Sequence, residues 1–201
     1  MTQLAVLAAA IAVIELDGTY IGQWMISRPI VLGPMVGILA GEIEAGVLLG
    51  ALFEMFSAAA VPVGTHIPAN ATIGAGSALL LALGPGAAGL EWAFPVGLAL
   101  AHAFRPLEGE LRQRAERWEA RAARRIEEEE PGGLGGILAL GLVERLAVSA
   151  AFLMAVLFVL RPLLSRLACA APEIVQAGLG WGLDAAPWLG VAALLQVLWK
   201  R

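Results

Sequence analysis

The amino-acid sequence predicts an all-α membrane protein, a polytopic helical bundle with broken or re-entrant helices. Three observations carry that expectation. Of 201 residues, 59% are hydrophobic and 15% charged, with a mean hydropathy of +0.79; an ordinary globular domain is about a quarter charged. Half of the charge is gathered in one block: Arg105 to Glu130 holds seven Arg and eight acids, 15 of the 30 charged residues. The apolar remainder is cut by Gly and Pro into pieces mostly shorter than the roughly 20 residues of a helical crossing.

The chain divides into three parts: a membrane core over 1–104 with a polar site, a charged amphipathic arm over 105–133, and a pair of transmembrane helices over 134–201. Leu4 to Ile14 is an apolar run that just spans or packs obliquely; Glu15, Asp17 and Gly18 end it. Thr19 to Pro29 is a polar and aromatic connector, and the residue before Pro29 is biased away from helix. From Ile30 onward Gly33, Gly37 and Gly41 recur every four residues, and Gly46 and Gly50 follow. That small-residue ladder lets helix backbones approach closely. Ala45 to Val63 is apolar apart from Glu54 and Ser57. Pro62, Gly64 and Pro68 stop helix continuation, so Thr65 to Ala75 reads as re-entrant or an extended turn. Ser77 to Leu83 and Trp92 to Phe104 are apolar runs parted by Gly and Pro, the pattern of discontinuous membrane helices.

In the arm, Leu107, Leu111, Ala115, Trp118, Ala122 and Ile126 mark one helical face. Glu108 with Arg112 and Glu110 with Arg114 are favourable i,i+4 pairs. Such a helix lies on a bilayer surface or against a partner, and its arginines favour the cytoplasmic side. Leu134 to Leu160 and Ile174 to Trp199 are long enough to cross. Arg161 and Arg166, on the far side in that topology, fit the charge rule poorly.

Several function classes are excluded. A net charge of −4 gives no reason to expect nucleic acid. Cys169, the sole cysteine, forms no internal disulfide and no metal cluster. No phosphate-binding loop, nucleophile elbow or metal-ligand set is present, and neither His66 nor His102 sits in a recognisable phosphoryl-acceptor site. The sequence therefore assigns no catalytic residue and no cofactor. The first basic residue is Arg28, so the N-terminus lacks the positive segment of a signal peptide.

Glu54 is the sharpest candidate. A carboxylate at bilayer depth costs about 3 kcal/mol on insertion scales and is a functional candidate by default. It either holds a polar substrate or bonds a neighbouring helix. Asn70, whose amide both donates and accepts, either holds hydroxyls or simply favours the turn; His66 lies in the same break. Gln23 beside Trp24 suits a sugar, a polar group next to an aromatic plate, but Trp is also common at membrane edges. Arg28 is expected to pair with Glu15, Asp17 or a lipid phosphate. Glu144 and Arg145 are neighbours pointing in different directions, and one is expected to pair across helices.

At GQWMISRPIVLGPMVGILAGEIEAGVLLGALFEMF and VPVGTHIPANATI the chain resembles subunit IIC of the mannose/fructose/sorbose family of the bacterial sugar phosphotransferase system (PTS). The carriers are SRP before a Gly-rich helix, GEIEAG, the glutamate of GALFE and the V-P-V-G-x-x-I-P-x-x-A turn. The similarity is strong from Gly18 to Ala82, faint through the arm, and resumes at Glu144–Leu160 and APEIVQAGL. It implies a multi-pass sugar permease of the bacterial inner membrane. It also implies a homologous IID subunit, soluble IIA and IIB proteins that carry the phosphoryl group, and lipid as a neighbour, with a homo-oligomer left open. The implied substrate-binding residues are Gln23, Glu54, His66 and Asn70. Asn70 stands where the family commonly has Asp, and the chain ends early for the family. A non-transporting regulatory or scaffold subunit is therefore the alternative expectation.

Overall fold

The computed structural model describes residues 1–58, 67–127 and 133–199, which form nine α-helices and no strand. Helix α1 (Thr2–Glu15) ends in a 3-10 turn, Leu16–Gly18. The connector after it is tied by Asp17, whose carboxylate accepts from the N–H groups of Trp24 at 2.7 Å, Ile26 at 2.8 Å and Ser27 at 3.2 Å.

Two short helical hairpins follow. The first is α2 (Pro29–Ala40) with α3 (Ile43–Ser57). Pro29 opens α2 where its missing N–H is harmless. At 1.5 Å per residue these helices are about 18 and 22 Å long, short of a hydrocarbon core of about 30 Å. Their backbones nearly touch. A Cβ on Gly33 would lie 2.3 Å from the Gly46 carbonyl oxygen, one on Gly46 2.4 Å from that of Gly33, and one on Gly50 2.5 Å from that of Pro29. Gly37 meets Glu42 and Gly46 at 3.0 Å. Gly41 departs from the expected ladder: an added Cβ there meets nothing within 4 Å. It instead ends α2 in the left-handed region at φ 79°. Its N–H donates to Ile38 and that of Glu42 to Gly37, the paired closure of a Schellman motif.

The second hairpin is α4 (Ala71–Ala82) with α5 (Leu90–Ala103). Every residue from Ile73 to Ala82 is buried. ATIGAGSALLLA is apolar on all sides, the pattern of a helix surrounded by others. It is surrounded here by α1, α2, α3, α5 and α7. Small residues set the spacing: a Cβ on Gly76 would meet Ile11 of α1 at 2.6 Å, and one on Gly97 of α5 would meet Ala78 at 2.7 Å. Phe94 joins α5 to α3 through edge contacts with Phe53 and Phe56 at 5.6 and 5.5 Å. The centre of the bundle is thus α4, while the Gly33–Gly50 ladder flanks it.

The arm is α6 (Arg105–Glu127), packed against α7 (Leu134–Ala155). Leu111, Ala115, Trp118 and Ala122 line a groove facing Ile137 and Leu138, whereas Leu107 and Ile126 are exposed. A π-helical turn, Val156–Leu160, joins α7 to α8 (Arg161–Ala170). It precedes Pro162, which has no N–H to return to the preceding turn. Helix α9 (Glu173–Trp199) closes the described chain. Leu134–Ala170 and Glu173–Gln196 are long and apolar enough to cross a membrane and are mostly unburied, the condition of helices meeting lipid or other subunits.

Arg161 corrects the sequence reading. It is buried between helices rather than displayed at an outer surface. Its guanidinium donates to the carbonyl of Leu80, and to those of Gly84 and Pro85 at 3.2 and 2.9 Å. It therefore satisfies carbonyls freed where α4 ends. Glu42 reaches the same turn, accepting from the Gly84 N–H at 2.7 Å. The tips of the two hairpins are joined there.

Candidate functional site

The opposite ends of the hairpins meet around Ile67–Asn70, a segment of non-helical backbone that leads into α4. Irregular backbone at membrane depth is tolerated where it is buried in protein or lines a cavity. Here it lines three cavities, all of which share Pro68 and Ala69. The Asn70 N–H donates to the Ala101 carbonyl of α5 at 3.2 Å. The Thr72 hydroxyl donates to the Ser27 carbonyl at 2.8 Å. Those two bonds fix the segment between the hairpins and the connector.

The first cavity, of about 180 Å³, contains Glu54. Arg28 pairs with Glu54, not with Glu15 or Asp17 as expected from the sequence. The reason is positional: Arg28 stands at the N-cap of α2, and the α2–α3 hairpin brings it opposite the last turn of α3. The second Glu54 oxygen accepts from the Ile30 N–H at 3.3 Å. A carboxylate offers about four lone-pair sites, so Glu54 retains room for further donors. Ser27, Ser57 and Thr72 complete the polar wall.

The second cavity, of about 150 Å³, contains Asn70. Asn70 caps α4, its side-chain oxygen accepting from the Ile73 N–H at 3.0 Å. Its amide nitrogen donates to Glu15 at 3.0 Å. Glu15 also accepts from Arg145 Nε at 3.1 Å and from Ser149 at 3.2 Å. Glu108 Oε2 lies 2.7 Å from Arg145 Nη2, and Arg112 Nε donates to Glu108 at 3.3 Å. Burial alone raises the Glu108 pKa, but Arg145 and Arg112 outweigh it and hold it below the usual carboxylate range. Glu15 and Arg145 are both almost wholly buried. Glu144, by contrast, turns to the arm, accepting from Arg114 at 2.6 Å and from the Trp118 indole at 3.1 Å.

The structure thus separates residues that the sequence grouped. Glu54 and Asn70 wall adjacent cavities with Pro68, Ala69 and Thr72 between them. Gln23 is exposed, donates to the Thr19 carbonyl at 3.4 Å, and lines neither cavity. His66 lies outside the described residues. Glu15, Glu108 and Arg145 are polar residues of the site that the sequence reading did not assign. The apolar setting of Glu15 and Arg145 was the available signal. Among the described residues, no three His, Cys, Asp or Glu side chains gather as a metal site.

Short apolar hairpins, a fully buried central helix and polar cavities beside broken backbone define a helical membrane protein of the transport class. The chain belongs to the EII-Sor family, described as the PTS system sorbose-specific IIC component, which matches residues 1–201. It is accordingly a IIC sugar-permease subunit by family. No curated protein sequence matches it significantly. Two solved structures share the fold. One, described as "Structure of membrane protein", has a TM-score of 0.75 at 18% identity over 98% of this chain and 80% of its own. The other, the mannose transporter ManYZ in complex with microcin E492, has a TM-score of 0.70 at 20% identity with the same coverages.

Proposed function

We propose that this chain binds a hexose beside Glu54 and carries it across a bacterial inner membrane, as the IIC half of a permease completed by a IID subunit. The observation that supports this reading is the Glu54 cavity itself: a carboxylate with unused acceptor sites, a partly exposed guanidinium and three hydroxyls, set against apolar helices. Carboxylate and guanidinium cancel in charge, which suits an uncharged polyol. Hydroxyls both donate and accept, so a sugar can bond Glu54 and Arg28 together. The chain's share in the reaction is binding and presentation. A IIB partner supplies the phosphoryl group.

The test is uptake of radiolabelled hexoses by cells producing this chain with its IID partner and the soluble PTS proteins. Glu54→Gln and Arg28→Gln should insert normally and reduce uptake at least tenfold. Wild-type uptake in both variants overturns the reading. If no hexose enters at all while a soluble PTS protein still binds through α6, the chain is a scaffold.

A further inference from the structure

We propose that the outer face of α9 seats a transmembrane helix of the IID subunit, and that this helix presents a cationic or hydrogen-bond-donating side chain to Asp184. The inference rests on the reading of this chain as one half of a two-subunit permease, and adds a surface where the halves meet. Helix α9 has two faces. Leu183, Ala186 and Gly190 turn inward, where α9 packs on α3 and α5; a Cβ on Gly190 would meet Met55 at 3.0 Å. On the opposite side Ile174, Trp181, Trp188 and Leu195 repeat every seven residues, and Gly178, Ala185 and Ala192 follow the first three by four. All seven are exposed, Trp181 by 74% and Trp188 by 77%.

A seven-residue repeat with alternating spacings of four and three is the pattern of a helix that packs along another. On a straight helix such a stripe drifts by about 20° per heptad, so the occupant that follows it is a helix wound around α9 left-handedly. Large residues alternate with small ones along the stripe, and small residues let membrane helices approach closely. The tryptophans point the same way. In lipid, Trp favours the two interfaces. Trp181 and Trp188 instead lie three and four residues either side of Asp184, about 5–6 Å along the axis from the middle of the crossing. Seated between the small residues of a facing helix, they act as packing anchors.

Asp184 selects the occupant. It stands at the middle of the crossing segment Glu173–Gln196, about 17 Å from either end. It is exposed, on the same side as Trp181 and Trp188, and makes no hydrogen bond or ion pair among the described residues. A carboxylate at that depth is costly against lipid tails. Its side chain is too short to reach the interface as Lys and Arg stems do. Lipid alone therefore leaves it unmet. A second copy of α9 does no better. Glu173–Trp199 contains no basic residue, and because Asp184 sits at mid-height, parallel and antiparallel pairs both set carboxylate against carboxylate. The face calls for a different helix, with Lys, Arg, His, Asn or Gln opposite Asp184.

The experiment co-produces the tagged full chain with its IID partner in bacterial membranes and extracts both in native-lipid nanodiscs. Asp184→Leu, which suits lipid better than the wild-type residue, should lower the co-purified IID at least fivefold, and so should Trp181→Ala/Trp188→Ala. Unchanged IID in Asp184→Leu overturns the proposal. A second measurement keeps the native face and survives misfolding of those variants. A photoreactive p-benzoylphenylalanine at Leu189, 59% exposed beside the stripe, should cross-link to IID. Adducts only with a second copy of the chain or with lipid overturn the proposal. Neither readout involves sugar, so the two readings fail separately. Glu54→Gln should leave both readouts unchanged. A chain that cross-links to IID but takes up no hexose sinks the transport reading and leaves this one standing; IID that co-purifies without an adduct sinks this one alone.

Discussion

Arg145 and Arg161 are both almost fully buried, at opposite ends of the short hairpins, and they do different work. Arg161 faces backbone carbonyls of Leu80, Gly84 and Pro85, and among the described residues none of its nitrogens is buried without a partner. It is a cap for the end of α4 made from a distant helix. Arg145 faces two carboxylates and the Tyr20 ring, and one of its nitrogens is buried without a hydrogen-bond partner among the described residues. Burial of a charged group in a membrane helix therefore does not by itself mark a ligand site. The sharper criterion is what its donors meet, the carbonyls of one helix end or carboxylates drawn from several helices.

That contrast can be broken most forcefully at Arg145. Arg145→Met leaves Glu15 and Glu108 buried without their shared cation. Removing one partner of a buried pair destabilises by about 3–5 kcal/mol. Thermal unfolding of purified protein should show a loss of that order, with part of it recovered in Arg145→Met/Glu15→Gln. Arg161→Met is expected to lose somewhat less, about 2–3 kcal/mol, because it strands neutral carbonyls rather than charges. Its surviving folded fraction should bind hexose with unchanged affinity. A change in affinity would erase the distinction between the two arginines.

The hairpin contacts rank next. Gly33→Ala places a methyl against the Gly46 carbonyl and should destabilise by about 1–3 kcal/mol. Gly41→Ala has open space but a left-handed backbone, and should lose about 1–2 kcal/mol, measured in the same unfolding assay. The smallest effect belongs to the arm. Arg114 is nearly half exposed, so Arg114→Gln should shift stability by only about 0.2–1 kcal/mol.

Much of the architecture was legible in the chain. The charged block read as an amphipathic helix and is α6. The glycine ladder read as close helix packing and is the α2–α3 contact. Glu54 was visible as a carboxylate in an apolar run. Its partner was not, because Glu15, Asp17, Glu42 and Glu44 all lie nearer to Arg28 in sequence than Glu54 does, and only the hairpin chooses among them. Glu15 looked like a helix terminator, and Arg145 looked like half of an adjacent pair. Neither position hints at the other across 130 residues.

Composition, periodicity and small-residue spacing determined the class of protein, the helices and the close hairpin, since each is a property of neighbouring residues in the chain. Which cation meets which carboxylate, that α4 is central, and that Glu54 and Asn70 face separate cavities were decided only by packing. Those are contacts between elements far apart in the chain, and desolvation makes them matter only once the helices have closed around them.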